Sequence, residues 1–152
     1  MNIGKVLGKY EHKVENLLPI LLEIQDDLQD KYITPDIARA VSEEMKIPYS
    51  QMSEVISFFA AINKTPKGKY HIEMCNSTVC KVNENFLIEN YLKDTLGIQI
   101  GETTEDKMFS LDYAPCFGAC DVSPSIRINK RAYGKLSVEK VRKIINELRG
   151  EQ

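Results

Sequence analysis

Four cysteines are the residues of this chain best suited to chemistry, and they fall into two close pairs. Cys75-Asn76-Ser77-Thr78-Val79-Cys80 leaves four residues between its thiols, and Cys116-Phe117-Gly118-Ala119-Cys120 leaves three. A structural zinc site normally uses tighter C-x2-C knuckles, although four intervening residues lie within its range. A thioredoxin-type dithiol is C-x-x-C. Neither template suits both pairs. An iron–sulfur cluster is held by four thiolates, and a loop with four intervening residues has room to wrap a two-iron centre, as in one pair of the plant-type spacing. The residues thus point to one [2Fe–2S] cluster with Cys75, Cys80, Cys116 and Cys120 as its metal ligands, and no separate catalytic side chain. Zinc at the same thiols as a structural module, two disulfides, or four unligated thiols packed as small hydrophobes are the alternatives.

The flanking residues fit the cluster reading. Cluster sulfurs carry negative charge, so backbone N–H groups must point inward, and a helix expected to start near Val82 offers them at its positive end. Gly118 and Ala119 are small enough for close backbone approach. Asn76, Ser77 and Thr78 are candidate side-chain donors, and Val79, Phe117 and Val122 are candidates to limit solvent access. With four thiolates to hand, His71 and His12 read as structural rather than as ligands. Phe58 and Phe59 read as core residues, with a partner-facing role as the alternative.

The rest of the composition narrows the setting. With 152 residues, 43% hydrophobic and 28% charged, the chain suffices for one ordinary domain or two small ones. Its 20 Lys and Arg are scattered among 22 Asp and Glu, for a net charge of −2. No basic stripe is present to track a phosphate backbone, so nucleic acid is not an expected partner. The opening residues lack an apolar signal segment, and the longest apolar run falls far short of a membrane span. The expected location is the cytoplasm, without direct membrane insertion, and a reducing compartment turns clustered thiols toward metal binding.

The elements that must position the thiols follow from periodicity. Apolar residues recur at helical spacing from Val6 to Leu28, where Pro19 predicts a kink or a helix that begins near it. Thr34-Pro35-Asp36 predicts the start of a second helix whose inner face is Ile37, Val41 and Met45. A third is expected from about Tyr49 to Ile62, burying Met52, Val55, Ile56, Phe59 and Ala60. A polar stretch from Asn63 to Gly68 then separates a helical bundle at residues 1–65 from a second domain at residues 66–152. There, period-two alternation runs from Lys69 to Met74 straight into Cys75, and again from Phe109 to Tyr113 ahead of Cys116. A helix is expected from about Val82 to Leu96, with Phe86, Leu87, Tyr91, Leu92 and Leu96 at helical spacing and Gly97 closing it. A hairpin joins Ser125–Ile128 to Arg131–Tyr133 through Asn129-Lys130. Ser137 caps a last helix with Val138, Val141, Ile144, Ile145 and Leu148 inward, while Glu139, Lys140, Arg142, Lys143, Glu147 and Arg149 form a solvated face. The order suits an α/β fold of thioredoxin-like size, a four-stranded mixed sheet flanked by helices.

At these motifs the sequence resembles a known family, the thioredoxin-like [2Fe–2S] ferredoxins. In particular it is similar to the small flavin-adjacent iron–sulfur subunit of complex I and its hydrogenase and formate dehydrogenase relatives. The likeness covers nearly the whole chain. It rests on Lys67-Gly68-Lys69-Tyr70-His71-Ile72 before Cys75, the two cysteine spacings, Gly101-Glu102-Thr103-Thr104, Pro124 after Cys120, and upstream Ile47-Pro48 and Ser57-Phe58-Phe59. Ser53-Glu54 stands where the family usually has Tyr-Gly, and Asp121-Val122-Ser123-Pro124 replaces the more usual Val-Asn-Ala-Pro; both changes leave the thiols intact.

The resemblance implies that the four cysteines ligate a [2Fe–2S] cluster which exchanges single electrons with a flavin- and NAD(P)-binding iron–sulfur partner subunit, the N-terminal bundle docking that partner. Further redox subunits are implied beyond it. FMN and NAD(P) are expected on the partner, because this chain has neither a G-x-G-x-x-G nor a Walker A stretch. An electron-bifurcating hydrogenase-type complex is the favoured setting, with complex I, formate dehydrogenase or a free-standing ferredoxin or redox sensor as the other readings.

Overall fold

In the computed structural model, which describes residues 3–150, the first apolar run is not one helix. A short helix α1 (Ile3–Leu7) is followed by a 3-10 turn (Val14–Asn16) and then by α2 (Leu17–Asp27). Pro19 lies in the first turn of α2, where a missing N–H deprives the helix of no bond. Helix α3 (Pro35–Met45) starts as expected, with the Ile37 N–H donating to Thr34 Oγ1 at 3.3 Å, and ends at Lys46 in a left-handed cap.

Helix α4 (Tyr49–Phe58) stops short of the expected Ile62, and Ala60 is exposed rather than buried. Buried Gln25 supplies the reason. Its side chain donates to the Ala61 carbonyl (3.0 Å) and accepts from the Asn63 N–H (2.7 Å), drawing that backbone out of helical continuation. Leu17, Ile20, Leu21, Ile24, Val41, Met52 and Ile62 form the centre of this unit's core. The chain divides into two compact units between Lys67 and Gly68.

The second unit is built on a sheet of five strands rather than four, in the order β2-β3-β1-β4-β5. The strands are β1 (Tyr70–Cys75), β2 (Glu102–Thr103), β3 (Phe109–Ala114), β4 (Ile126–Ile128) and β5 (Arg131–Tyr133). The additional strand, β2, has two residues, too few for alternation to register. Central β1 pairs in parallel with β3, from Tyr70↔Phe109 to Cys75↔Ala114, and antiparallel with β4. The β4–β5 turn, Asn129-Lys130, takes positive φ at both residues (46° and 74°), the pair of conformations a tight two-residue hairpin demands.

Alternation divides the sheet into two faces. Tyr70, Ile72, Met74, Phe109, Leu111, Ile126 and Ile128 pack with Ile88 and Leu92 of α6 (Asn85–Leu96) and with Val141, Ile144 and Ile145 of α7 (Val138–Gly150). The other face carries His71, Glu73, Ser110, Asp112 and Arg127. The helix expected from Val82 is instead two: α5 (Thr78–Val82) and α6, broken at Glu84, whose φ of 59° is left-handed. Phe86 and Leu87 of α6 are half exposed. Gly97 closes α6 at φ 68°, and Ser137 Oγ accepts the Lys140 N–H (3.2 Å) at the start of α7. Among the described residues no helix is long and apolar enough to cross a membrane.

Candidate metal centre

Neighbouring parallel strands deliver both thiol loops to one edge. Cys75 is the last residue of β1, and β3 ends at Ala114, two residues before Cys116. The register aligns Cys75 with Ala114, and the Asn76 N–H donates to the Ala114 carbonyl at 2.9 Å, so the loops leave the sheet side by side. Loops at the carboxyl ends of parallel strands are where α/β sheets place their sites.

The first loop folds at once into α5, which contains Cys80. Cys75 and Cys80 are 2% and 0% exposed. Cys75 Sγ lies 3.1 Å from Ser77 Oγ, and Cys80 Sγ 3.7 Å from Ser125 Oγ. The backbone is pinned from behind by Asn85, which is buried and donates from Nδ2 to the Cys75 carbonyl at 2.9 Å. The helix that neighbours the thiols is therefore the single-turn α5, not one starting at Val82. Val79 is half exposed.

The second loop is irregular. Gly118 takes φ 84°, open to glycine without strain, and Cys120–Val122 forms a 3-10 turn. Cys116 is exposed, Cys120 half buried, and their sulfurs are 3.2 Å apart. The Gly118 N–H, then the Cys120 thiol, hold Cys116 below the ordinary thiol range, with a smaller contribution from Cys75. Cys120 is pushed up, first by its hydrogen bond with Cys116, then by burial and by the neighbouring thiols of Cys116, Cys75 and Cys80. Cys75 and Cys80 of the first loop thus lie close enough to act on the two thiols of the second. Asn83 ties the loops together, donating to the Val79 carbonyl (3.0 Å) and to Ser123 Oγ (2.6 Å).

His71 is engaged elsewhere, with Nε2 2.6 Å from Asp112 Oδ2, and exposed His12 lies outside any helix. Asn85, Ser125, Asn83 and Arg127 contact the thiol loops, and the sequence alone does not point to them. Arg127 holds Glu73 with two hydrogen bonds (2.6 and 2.7 Å) and stacks 5.3 Å above the ring of Phe117, inside the second loop. Only the outward phase of β4 hints at Arg127; its partners lie 54 and 10 positions away in sequence.

Sheet and thiols together define an α/β protein of thioredoxin-like fold with a thiol-rich site at the carboxyl edge of its central parallel pair. A family model described as thioredoxin-like [2Fe-2S] ferredoxin matches residues 3–149, and the chain belongs to that family. It is 29% identical over 147 residues to the E subunit of NADH-quinone oxidoreductase from Mycobacterium tuberculosis (97% of this chain, 58% of that one). It is 33% identical over 116 residues to HndA, a subunit of the NADP-reducing hydrogenase of Solidesulfovibrio fructosivorans (76% and 68%). Likewise it is 32% identical over 143 residues to the corresponding NADH-quinone oxidoreductase chain of Rickettsia felis (93% and 86%). The chain thus spans little more than half the length of the mycobacterial relative. Among solved structures, NAD+-reducing [NiFe]-hydrogenase in its air-oxidized state shares the fold, with a TM-score of 0.79 at 20% identity over 93% of this chain and 24% of that one.

Family membership implies a [2Fe–2S] cluster, and the donors fit it. Such a cluster takes four thiolates, one pair to each iron, and four free cysteines stand here as two pairs. Among the described residues no three His, Cys, Asp or Glu side chains gather closely enough to hold a single metal ion.

Proposed function

We propose that Cys75, Cys80, Cys116 and Cys120 hold one [2Fe–2S] cluster and that the chain is an electron-transfer subunit, exchanging single electrons with a flavin- and NAD(P)-binding partner. The observation that carries this reading is the delivery of two thiol loops to one sheet edge by adjacent parallel strands, with Cys75 and Cys80 close enough to act on the thiols of Cys116 and Cys120. The bound cluster supplies one-electron chemistry. The chain's own residues exclude water from the Cys75 and Cys80 side, offer the Gly118 N–H to a sulfur and keep the Cys116 side open.

The relatives' names place them in NADH- and NADP-linked oxidoreductases, which supports a multisubunit complex as the setting; the particular complex we propose is an electron-bifurcating hydrogenase-type one in the cytoplasm. In this reading the helical unit docks the partner, and Phe58 of α4, 81% exposed beside Phe59, is available for it. Anaerobic affinity purification from the native cell tests both levels. The material should be reddish-brown, contain iron and labile sulfide, give a rhombic signal on reduction, and bring down a flavin- and NAD-binding chain. Colourless, zinc-containing protein refutes the cluster, and purification without any flavin chain refutes the complex.

A further inference from the structure

The turn that carries Cys120 is seated against the end of β5 with no room to spare. A Cβ placed on Gly134 would lie 2.2 Å from Val122 Cγ2, 2.5 Å from Val122 Cβ and 2.7 Å from the Val122 carbonyl oxygen. These separations are far inside van der Waals contact, and one of the three atoms is backbone, so a change of rotamer cannot relieve them. Gly134 is not among the residues of positive φ. What glycine supplies here is space rather than conformational freedom, the reverse of Gly118, whose Cβ would meet nothing within 4 Å but whose φ is 84°. Two hydrogen bonds clamp the same contact: the Lys135 N–H donates to the Val122 carbonyl (2.5 Å) and the Leu136 N–H to the Pro124 carbonyl (3.2 Å). Val122 is the last residue of the 3-10 turn that begins at Cys120.

We propose that Gly134 is a positioning residue for the metal centre: the bare backbone at the end of β5 is the stop against which Val122 seats, and that seat sets where the Cys120 thiol lies relative to Cys116. The inference rests on the reading of the four cysteines as cluster ligands. A methyl group at position 134 must push the turn away from the hairpin, carrying Cys120 with it. Displacing a ligand by tenths of an ångström alters its overlap with the metal and the hydrogen bonding of its sulfur, the quantities that tune affinity and potential. The three atoms nearest a Cβ at Gly134 all belong to Val122, so the effect passes through that residue.

The test compares the full chain, anaerobically loaded with iron and sulfide, as wild type, Gly134→Ala and the double variant Val122→Gly with Gly134→Ala. Gly134→Ala should lose iron to a chelator about tenfold faster or more, the usual effect of disturbing a group behind a ligand. Its visible circular dichroism, its signal on reduction and its reduction potential should shift as well. Removing the Val122 side chain takes away the two closest contacts, at 2.2 and 2.5 Å, and should recover part of that loss, the contact with the Val122 carbonyl remaining. Wild-type spectra, potential and chelation rate in Gly134→Ala overturn the proposal, as does a double variant no better than the single one. If Gly134→Ala does not fold, recovery of folding and spectrum in the double variant supports the proposal and its failure overturns it. A wild-type chain without iron and sulfide overturns the ligand reading itself, whereas a loaded wild type beside an unperturbed Gly134→Ala removes only the role of Gly134.

Discussion

The two thiol pairs leave neighbouring strands of one sheet, yet they are held by opposite means. Cys75 and Cys80 are buried, one ending a central strand and the other inside a helical turn, with Asn85 bonded to the Cys75 carbonyl behind them. Cys116 is exposed on a loop without regular structure, fixed by contacts from outside it: Arg127 on Phe117, Asn83 on Ser123, and Gly134 with Lys135 and Leu136 on the Val122 turn. Regular secondary structure positions the first pair, and tertiary contact positions the second. The difference leaves the Cys75 and Cys80 thiols closed to water and the Cys116 thiol open to it.

Alkylation should show the contrast at its largest. In the metal-free chain Cys116 and Cys120 react without any opening of the fold, while Cys75 and Cys80 wait for local unfolding. An opening free energy of about 3 kcal/mol separates the pairs by about 100-fold in rate. Within the open pair Cys116 leads, since the Gly118 N–H and the Cys120 thiol hold it below the ordinary thiol range while Cys120 is pushed above it. Its rate should therefore rise through a lower pH than that of Cys120. Peptide mass spectrometry after a timed pulse of iodoacetamide reads all four sites, and equal rates at the four would break the comparison.

The same contrast explains how much of the molecule is legible in its sequence. The first pair lies where alternation from Tyr70 to Met74 ends, so the position of Cys75 at a strand end can be read directly, as can the approach of β3 to Cys116. Helical periodicity marks Leu92, Val141, Ile144 and Ile145 as core, and they are buried. It errs where backbone conformation outruns it. Glu84 breaks the expected helix through a left-handed φ that glutamate does not advertise, and Gln25 ends α4 through bonds 36 and 38 residues away. Strand β2 is too short to register. Arg127, Gly134 and Asn83 hold the second loop through partners distant in sequence, so beyond the outward phase of Arg127 a single sequence carries no local trace of these contacts.

Asn85 tests whether the first pair depends on more than burial. Its side chain is buried and donates to the Cys75 carbonyl at 2.9 Å. Asn85→Ala leaves that buried carbonyl without its donor, which should cost about 2 kcal/mol in denaturant unfolding. The alkylation gap should narrow at the same time, through faster reaction at Cys75 with Cys116 unchanged. Unchanged stability and an unchanged gap would leave the buried pair held by packing alone.

The smallest effect lies at the tie between the two regions. Tyr113, three residues before Cys116, donates from its hydroxyl to Glu89 Oε2 at 2.8 Å, and Glu89 of α6 pairs with Lys93 at 2.6 Å. Burial pushes the Glu89 carboxyl up, but the hydrogen bonds from Lys93 and Tyr113 outweigh it and hold the group below its usual value. A depressed carboxylate contributes stability that is present above the unfolded value of about 4.3 and is lost as pH falls through the folded value. Glu89→Gln should accordingly destabilise the chain by about 0.5 kcal/mol at pH 7, the size of a partly exposed pair, and by less at each step of acidification below about pH 4.5. Chemical denaturation at pH 7 and at pH 3.5 measures the difference. A penalty that persists undiminished in acid would assign the tie to side-chain packing rather than to charge.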